Sequence, residues 1–536
     1  MTQRPTHPRM TPEETRKLSE SGKEYALLDV RDEGAFSQKR LMLASCLPLS
    51  RLELNCGALV PRKSTPIVLM DGDGEGLADI AADRLAARGY GDLRVLEGGV
   101  AAWEAAGFPV YSGVNVMTKA FGEIVHTRCK TPDISAEVLH AWRAEGRNMV
   151  ILDSRPYSEY HAHTIPGSIS VPGAELAARV AALAPDPDTT IVVNCAGRTR
   201  SIIGCQSLIN AGVPNQVYSL RNGTMGWKLA GFQVETGATR RADPPAPDMT
   251  LARAGELARQ FDVRTLDPER LTQMRAARDR NIYLFDVRTP EDYAAGHVPG
   301  ALNAPGGQLV QAMDEYVGVR NAVVVLTDPL MLRAVMTASW LAKIAQCEVY
   351  VLDPAPDATE TAAPDIAGLD LPDVPTLSAR DLAAELAGPQ APHVLDLSTS
   401  VQYRAGHIPG ALWMVRGREA ALRAELGDAA GTAPVVLCGP DKALLQLAAP
   451  EIATSLGTDV RLLDGGVDAW QAEGQPLETG MQRPVGPIDD VWYKPYELAD
   501  AGAEKQAALD YLDWEIDLTE KVARDTVAFR PLHPAG

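Results

Sequence analysis

The chain alternates short apolar runs with longer stretches of mixed polarity, the pattern of buried strands separated by helices. Four of these runs, "YALLDVRD", "MVILDSRP", "IYLFDVRT" and "HVLDLSTS", turn polar at an aspartate: Asp29, Asp153, Asp286 and Asp396. A second apolar run follows each: "IVLMD", "IVVNC", "VVVLT" and "VVLC". Its last residue lies 42 positions after the aspartate in the first, second and fourth cases and 41 in the third. A third mark, "LEGGVAAW", "LRNGTMGW" and "LDGGVDAW", places Trp103, Trp227 and Trp470 each 74 positions after its aspartate, where they are expected to pack within their own domains. Spacing held so closely identifies one unit repeated four times.

The repeats divide the chain into domains over 8–113, 117–240, 255–354 and 377–480, with a Pro, Ala and Asp-rich linker over 355–376 and a tail over 481–536. Between the two apolar runs, "EYHAHTIPGSISVP", "DYAAGHVPGALNAP" and "QYRAGHIPGAL" set a Pro-Gly turn between a helical piece and another strand. Short strands alternating with helices predict an α/β fold, four tandem domains each with a mostly parallel sheet flanked by helices. Such sheets bind ligands beyond the carboxyl ends of their strands. The tail carries Trp492, Tyr493, Tyr496, Tyr511, Leu512 and Trp514, with a helix expected from about Ala503. So many aromatic residues imply docking onto another surface, either over the mouth of a site or between domains.

Composition narrows the function. At 536 residues the chain exceeds one core. No apolar run approaches a membrane span, and the polar start has no signal-peptide core. A net charge of −19 speaks against nucleic acid or an anionic membrane as partner. Seven cysteines without repeated spacing argue against a disulfide framework or a zinc site and for a reducing, cytoplasmic setting.

One of those cysteines stands apart. In "IVVNCAGRTRS", Cys195 follows a β-branched run, and a helix is expected to begin near Thr199 or Ser201 and to close on Gly212. A helix amino terminus offers outward amides and partial positive charge, which favour a thiolate and an anionic ligand. Arg198 and Arg200 reinforce both effects, so Cys195 is expected to be an accessible, low-pKa nucleophile acting on an anionic substrate. Asp153 and Arg155, at a buried strand end, read as an ion pair that supports the fold. Cys205 reads as a core residue, and no metal or organic cofactor is expected.

The strand ending in Asp-Val-Arg, the Gly-His-x-Pro-Gly-Ala segment, the cysteine loop and the closing Gly-Gly-x-x-Ala-Trp resemble the rhodanese (sulfurtransferase) superfamily, in four copies over most of residues 10 to 480. The resemblance implies that Cys195 carries a sulfane sulfur as a persulfide. Ala196, Gly197, Arg198, Thr199, Arg200 and Ser201 would cradle an anionic donor such as thiosulfate, and the acceptor would be a thiol or cyanide. Related phosphatases place five residues between cysteine and arginine, whereas Cys195 and Arg200 enclose four. The tighter ring counts against a phosphatase or arsenate-reductase-like activity. Asp71 and Thr327 are expected at the cysteine position of the first and third copies, with Asp73 and Glu75 adding negative charge to the first loop, so neither copy should transfer sulfur. Cys438 is expected there in the fourth copy, as a degenerate secondary site, since Ser398 stands where the second copy has Arg155. Three degenerate copies also keep open a non-catalytic scaffold or persulfide-binding adaptor.

Overall fold

In the computed structural model each repeat forms one sheet. The structure describes residues 7–532 except 75, 245, 345, 363–368, 496–500, 526, 528 and 531, so Glu75, Tyr496 and part of the proposed linker lie outside the described residues. In the second repeat the order is Asp133–Ile134, Val217–Leu220, Thr190–Asn194, Met149–Asp153 and Ile169–Ser170, all parallel. The same order recurs in the other three, and helices cover the sheets. The α/β expectation therefore holds. The repeated tryptophans cap this design alike: the indole N–H donates to the carbonyl six residues on, Pro109 from Trp103 (3.0 Å), Gln233 from Trp227 (2.8 Å) and Pro476 from Trp470 (2.8 Å).

The aspartates at the strand ends anchor the turns that follow. Asp153 accepts from Arg155 Nε (2.9 Å), Nη2 (2.7 Å) and backbone amide (3.1 Å), and both side chains are fully buried. Thr164 and Asn194 also donate to Asp153, at 2.6 and 3.0 Å. This saturation lets a buried charge persist. Asp29 with Arg31 and Asp286 with Arg288 repeat the pair. In the fourth repeat Ser398 replaces the arginine, and Asp396 Oδ2 is buried with no partner among the described residues.

The repeats are joined by more than linkers. Val319–Arg320 of the third repeat pairs antiparallel with Tyr25 and Ala26, extending the first sheet, and one apolar core spans both repeats. The core also holds a buried ion pair, Arg40 Nη2 to Asp314 Oδ2 at 2.6 Å. The fourth repeat meets the first through Arg416, which pairs with Glu53 (2.7 Å) and Glu451 (2.6 Å). Between the first two repeats runs a helix that the sequence pattern did not announce, Val116–Cys129, whose polar Thr118, Lys119 and Glu123 are as buried as its apolar residues. One side meets the helix Thr199–Asn210, where Gly122 lets Thr199 approach: a Cβ there would lie 2.9 Å from Thr199 Cγ2. The C-terminal helix Ala501–Val522 packs on it too.

Asp314→Ala strands a buried guanidinium, and we expect a loss of about 3–5 kcal/mol, read as a lowered thermal unfolding midpoint. The double variant Arg40→Met, Asp314→Leu should regain most of it.

Candidate active site

Strand register decides which residue of each repeat stands at the nucleophile's place. Parallel pairing sets Asp29 beside Met70, Asp153 beside Asn194, Asp286 beside Thr327 and Asp396 beside Cys438. Cys195 is the residue after Asn194. Its counterparts are therefore Asp71, Asp328 and Gly439. Two expectations need correction: Thr327 and Cys438 match Asn194, one residue short of the nucleophile. In the fourth repeat the paired residues are one position further apart in sequence than in the others, which brought Cys438 into apparent alignment. Cys438 is fully buried, and burial, with Asp396 beside it, pushes its thiol far above the ordinary range. It is placed as a core residue.

The degenerate loops hold carboxylates of their own. Asp71 accepts from the amides of Gly74 (2.7 Å), Gly76 (3.2 Å) and Ala78 (3.2 Å), so its carboxylate sits where an anionic ligand would. Asp328 accepts from the amides of Leu330 (3.3 Å) and Arg333 (3.0 Å) and from Arg333 Nη1 (3.2 Å). Arg333 lies five residues after Asp328, the spacing of Arg200 from Cys195. That spacing was legible in the sequence and would have given the correct register. The Asp73 and Glu75 charges were expected to repel anions from the first loop; Asp71 instead occupies its amides directly.

In the second repeat the loop is held from behind. The carbonyls of Cys195 and Ala196 accept from the amides of Thr224 (2.9 Å) and Met225 (3.0 Å), at the start of the helix Gly223–Leu229. Gly223 has φ +53°, and a Cβ on it would fall 2.2 Å from the Cys195 carbonyl oxygen, so only glycine fits. With the carbonyls turned back, the helix Thr199–Asn210 presents its first-turn amides toward the loop. Cys195 Sγ lies 3.4 Å from Ser201 Oγ, which donates to the Arg198 carbonyl at 2.8 Å.

Access and charge differ from expectation. Cys195 is 2% exposed, not open. Burial pushes its thiol above the usual value; Arg200 and the hydrogen bonds of Ser201 pull it back only in part. The expected low pKa is thus not found, because desolvation of a thiolate outweighs one nearby cation. The arginines already have partners. Arg198 makes a two-pronged pair with Glu123 (2.6 and 2.7 Å) and reaches Asn222 (3.1 Å). Arg200 does the same with Glu159 (2.8 and 2.9 Å) and contacts Gln308 of the third repeat (3.2 Å). Glu159, which burial alone would raise, is held down to about 2, chiefly by Arg200.

The C-terminal helix covers the loop, the first of the two placements the tail allowed. A Cβ on Gly197 would lie 3.3 Å from Tyr511 Cε1, 3.4 Å from Glu515 Oε2 and 3.9 Å from Leu512 Cδ2. Thr199 Oγ1 donates to Glu515 Oε1 at 3.2 Å. Beneath the helix, Lys119 Nζ sits within 4.7–4.9 Å of the rings of Trp492, Tyr511 and Trp514, and burial lowers it to about 8. Glu123, Glu159, Lys119 and Glu515 escaped the sequence reading, since none lies near Cys195 in the chain. Among the described residues no group of His, Cys, Asp or Glu is arranged to hold a metal, and no helix is long and apolar enough to cross a membrane.

Two expectations test this geometry. Glu159→Gln leaves Arg200 uncompensated beside the thiol, which favours the thiolate, so the pH midpoint for alkylation of Cys195 by iodoacetamide should fall by about one unit. Asp71→Ala strips three amides of their acceptor and should cost about 1–3 kcal/mol of stability in thermal denaturation, while leaving alkylation of Cys195 unchanged.

Comparison with known proteins agrees with this architecture. A family model described as "Rhodanese-like domain" matches residues 11–106, 135–230, 267–354 and 378–473. A crystal structure of thiosulfate sulfurtransferase from Pseudomonas aeruginosa is 45% identical, with TM-score 0.89, covering 98% of this chain and 99% of that one. An HTH-type transcriptional regulator of Mycobacterium tuberculosis is 39% identical over 103 residues, 19% of this chain. SseB of the same organism, provisionally named a thiosulfate sulfurtransferase, is 30% identical over 187 residues, 32% of this chain. The chain spans 44% of the length of the regulator and 60% of that of SseB. Four matched segments, on four sheets of one topology, make this chain a member of the rhodanese-like family.

Proposed function

We propose that the protein is a sulfurtransferase with one working site, in which Cys195 carries a sulfane sulfur from an anionic donor such as thiosulfate to a thiol or cyanide. At the coarser level, whole-length likeness to the Pseudomonas aeruginosa enzyme supports sulfur transfer. The observation that carries the specific reading is the register: of the four strand-to-helix turns, the second alone places a thiol at the turn, and the first and third fill it with Asp71 and Asp328.

In the first half-reaction the Cys195 thiolate attacks the donor's outer sulfur. The S–S bond breaks and its electron pair leaves with sulfite. In the second, the acceptor attacks the outer sulfur of the persulfide, and the Cys195 thiolate is the leaving group. The loop amides from Ala196 to Ser201 hold the anion, as the first-turn amides of a helix do. Arg200 lends the thiolate its field, while Arg198, tied to Glu123, sets the shape of the loop. Asp153 and Arg155 support the turn. The three degenerate repeats act as structure, a reading favoured by their carboxylate-filled loops and by the core shared between the first and third. A reducing, cytoplasmic setting accords with seven free cysteines.

Intact mass after incubation with thiosulfate tests the reading. One added sulfur is expected on the wild type and on Cys438→Ser, and none on Cys195→Ser. Because burial raises the Cys195 thiol, loading should be slow at low pH, where the thiol keeps its proton. A wild type that gains no sulfur from thiosulfate or other sulfane donors would turn the assignment toward an adaptor.

A further inference from the structure

The C-terminal helix brings a carboxyl group to the cysteine loop from more than three hundred residues away in sequence. Glu515 is 1% exposed. Its Oε1 accepts from Thr199 Oγ1 at 3.2 Å and from Tyr511 OH at 3.0 Å, which uses both lone pairs of a carbonyl-like oxygen. Its Oε2 is fully buried, has no hydrogen-bond partner among the described residues, and faces Gly197, where a Cβ would lie 3.4 Å away. An unsatisfied buried carboxyl oxygen costs stability unless something in the site completes it. Gly197, lacking a side chain, lets the C-terminal helix bring Glu515 this close to the loop.

We propose that Glu515 is a catalytic residue of the Cys195 site, its Oε2 carrying the proton and donating a hydrogen bond to the anion seated in the loop. This rests on the sulfurtransferase reading. The group's place in that cycle follows from charge. As the donor's S–S bond breaks, negative charge grows on the departing oxyanion, and an O–H donor in a dry site strengthens as its acceptor becomes more negative. The carboxyl keeps its proton throughout, so no proton transfer enters the balance. With Arg198 and Arg200 both paired to glutamates, a neutral donor supplies what they no longer give freely.

The surroundings favour the protonated form. Burial raises the Glu515 carboxyl above its usual range, and Glu123, on the helix Val116–Cys129, pushes the same way. Lys119 on that helix, Tyr511 on its own helix and Arg198 on the loop pull down, without reversing the shift. Cys195 faces it from the loop, and a charged Glu515 would hold its thiol up further. Once the carboxyl ionises, it repels the donor instead of binding it. The thiosulfate kcat/KM should therefore pass through a maximum, rising as Cys195 ionises and falling as Glu515 loses its proton.

The experiment measures thiosulfate-to-cyanide transfer from pH 5 to 9 for the full chain, with Cys195 loading followed by intact mass. Glu515→Ala should lower kcat/KM by about 100-fold. Glu515→Gln keeps a neutral N–H donor in place, so it should stay near wild type and lose the alkaline fall. Lys119, which burial lowers to about 8, remains in that variant, so a fall carried by Lys119 itself would persist in it. Wild-type activity in Glu515→Ala would overturn the proposal, as would a Glu515→Gln variant as impaired as Glu515→Ala or one that keeps the alkaline fall. If Glu515→Ala does not fold, the isosteric glutamine variant decides alone. If the wild type itself gains no sulfur, the fault lies with the sulfurtransferase reading, and the role of Glu515 goes with it.

Discussion

Every repeat stops a central strand in front of a helix, and the amides at that turn need an acceptor. This requirement governs the molecule. A buried amide without a partner costs a large share of a domain's modest stability. The first and third repeats answer with an aspartate, whose carboxylate stands where an anion would bind. The second places a cysteine there, and its short hydrogen-bonding reach leaves the amides to whatever enters. Function and degeneracy are thus two solutions of one local problem, separated by the side chain at a single register position.

The same solution lets the degenerate repeats serve as walls. A loop filled by its own carboxylate is rigid and has no further need of a ligand, so the surfaces around it are free to pack. Gln308 of the third repeat reaches Arg200, and Trp340 donates to Ser207 at 2.7 Å on the back of the helix Thr199–Asn210. Arg333 pairs with both Asp328 and Glu175, tying the third repeat's loop to the second repeat. The C-terminal helix closes over the loop itself, and the raised Cys195 thiol follows from burial.

Much of this was legible in the sequence, and the failures share a cause. Four parallel sheets, the cysteine at a strand end and the helix after it all follow from patterns local in the chain. Cys195 does follow the strand Thr190–Asn194, with Arg200 five residues on. Counting to the end of an apolar run misplaced Thr327 and Cys438 by one residue, since pairing between strands, not the length of a run, sets register. The helix Val116–Cys129 was missed because it is buried on several sides and its polar Thr118, Lys119 and Glu123 face other protein, so no amphipathic stripe marks it. The low thiol pKa was inferred from a helix terminus and two arginines. Neither Glu123 nor Glu159, which cancel those charges, stands near them in sequence.

Charge compensation around Cys195 also bears on the substrate. Near the loop stand Arg198, Arg200 and Lys119 as cations and Glu123, Glu159 and Glu515 as carboxyls. Were all six ionised, the shell would be neutral, and an anionic donor would gain only the loop amides on entering. A protonated Glu515 changes that sum by one positive unit in a site of low dielectric, where one charge outweighs several at the surface. The net chain charge of −19 makes this local excess matter more, because the wider field repels the anions a sulfane donor would present. On the proposed reading, selectivity would reside between the loop and the C-terminal helix, which packs Tyr511 and Trp514 against Lys119.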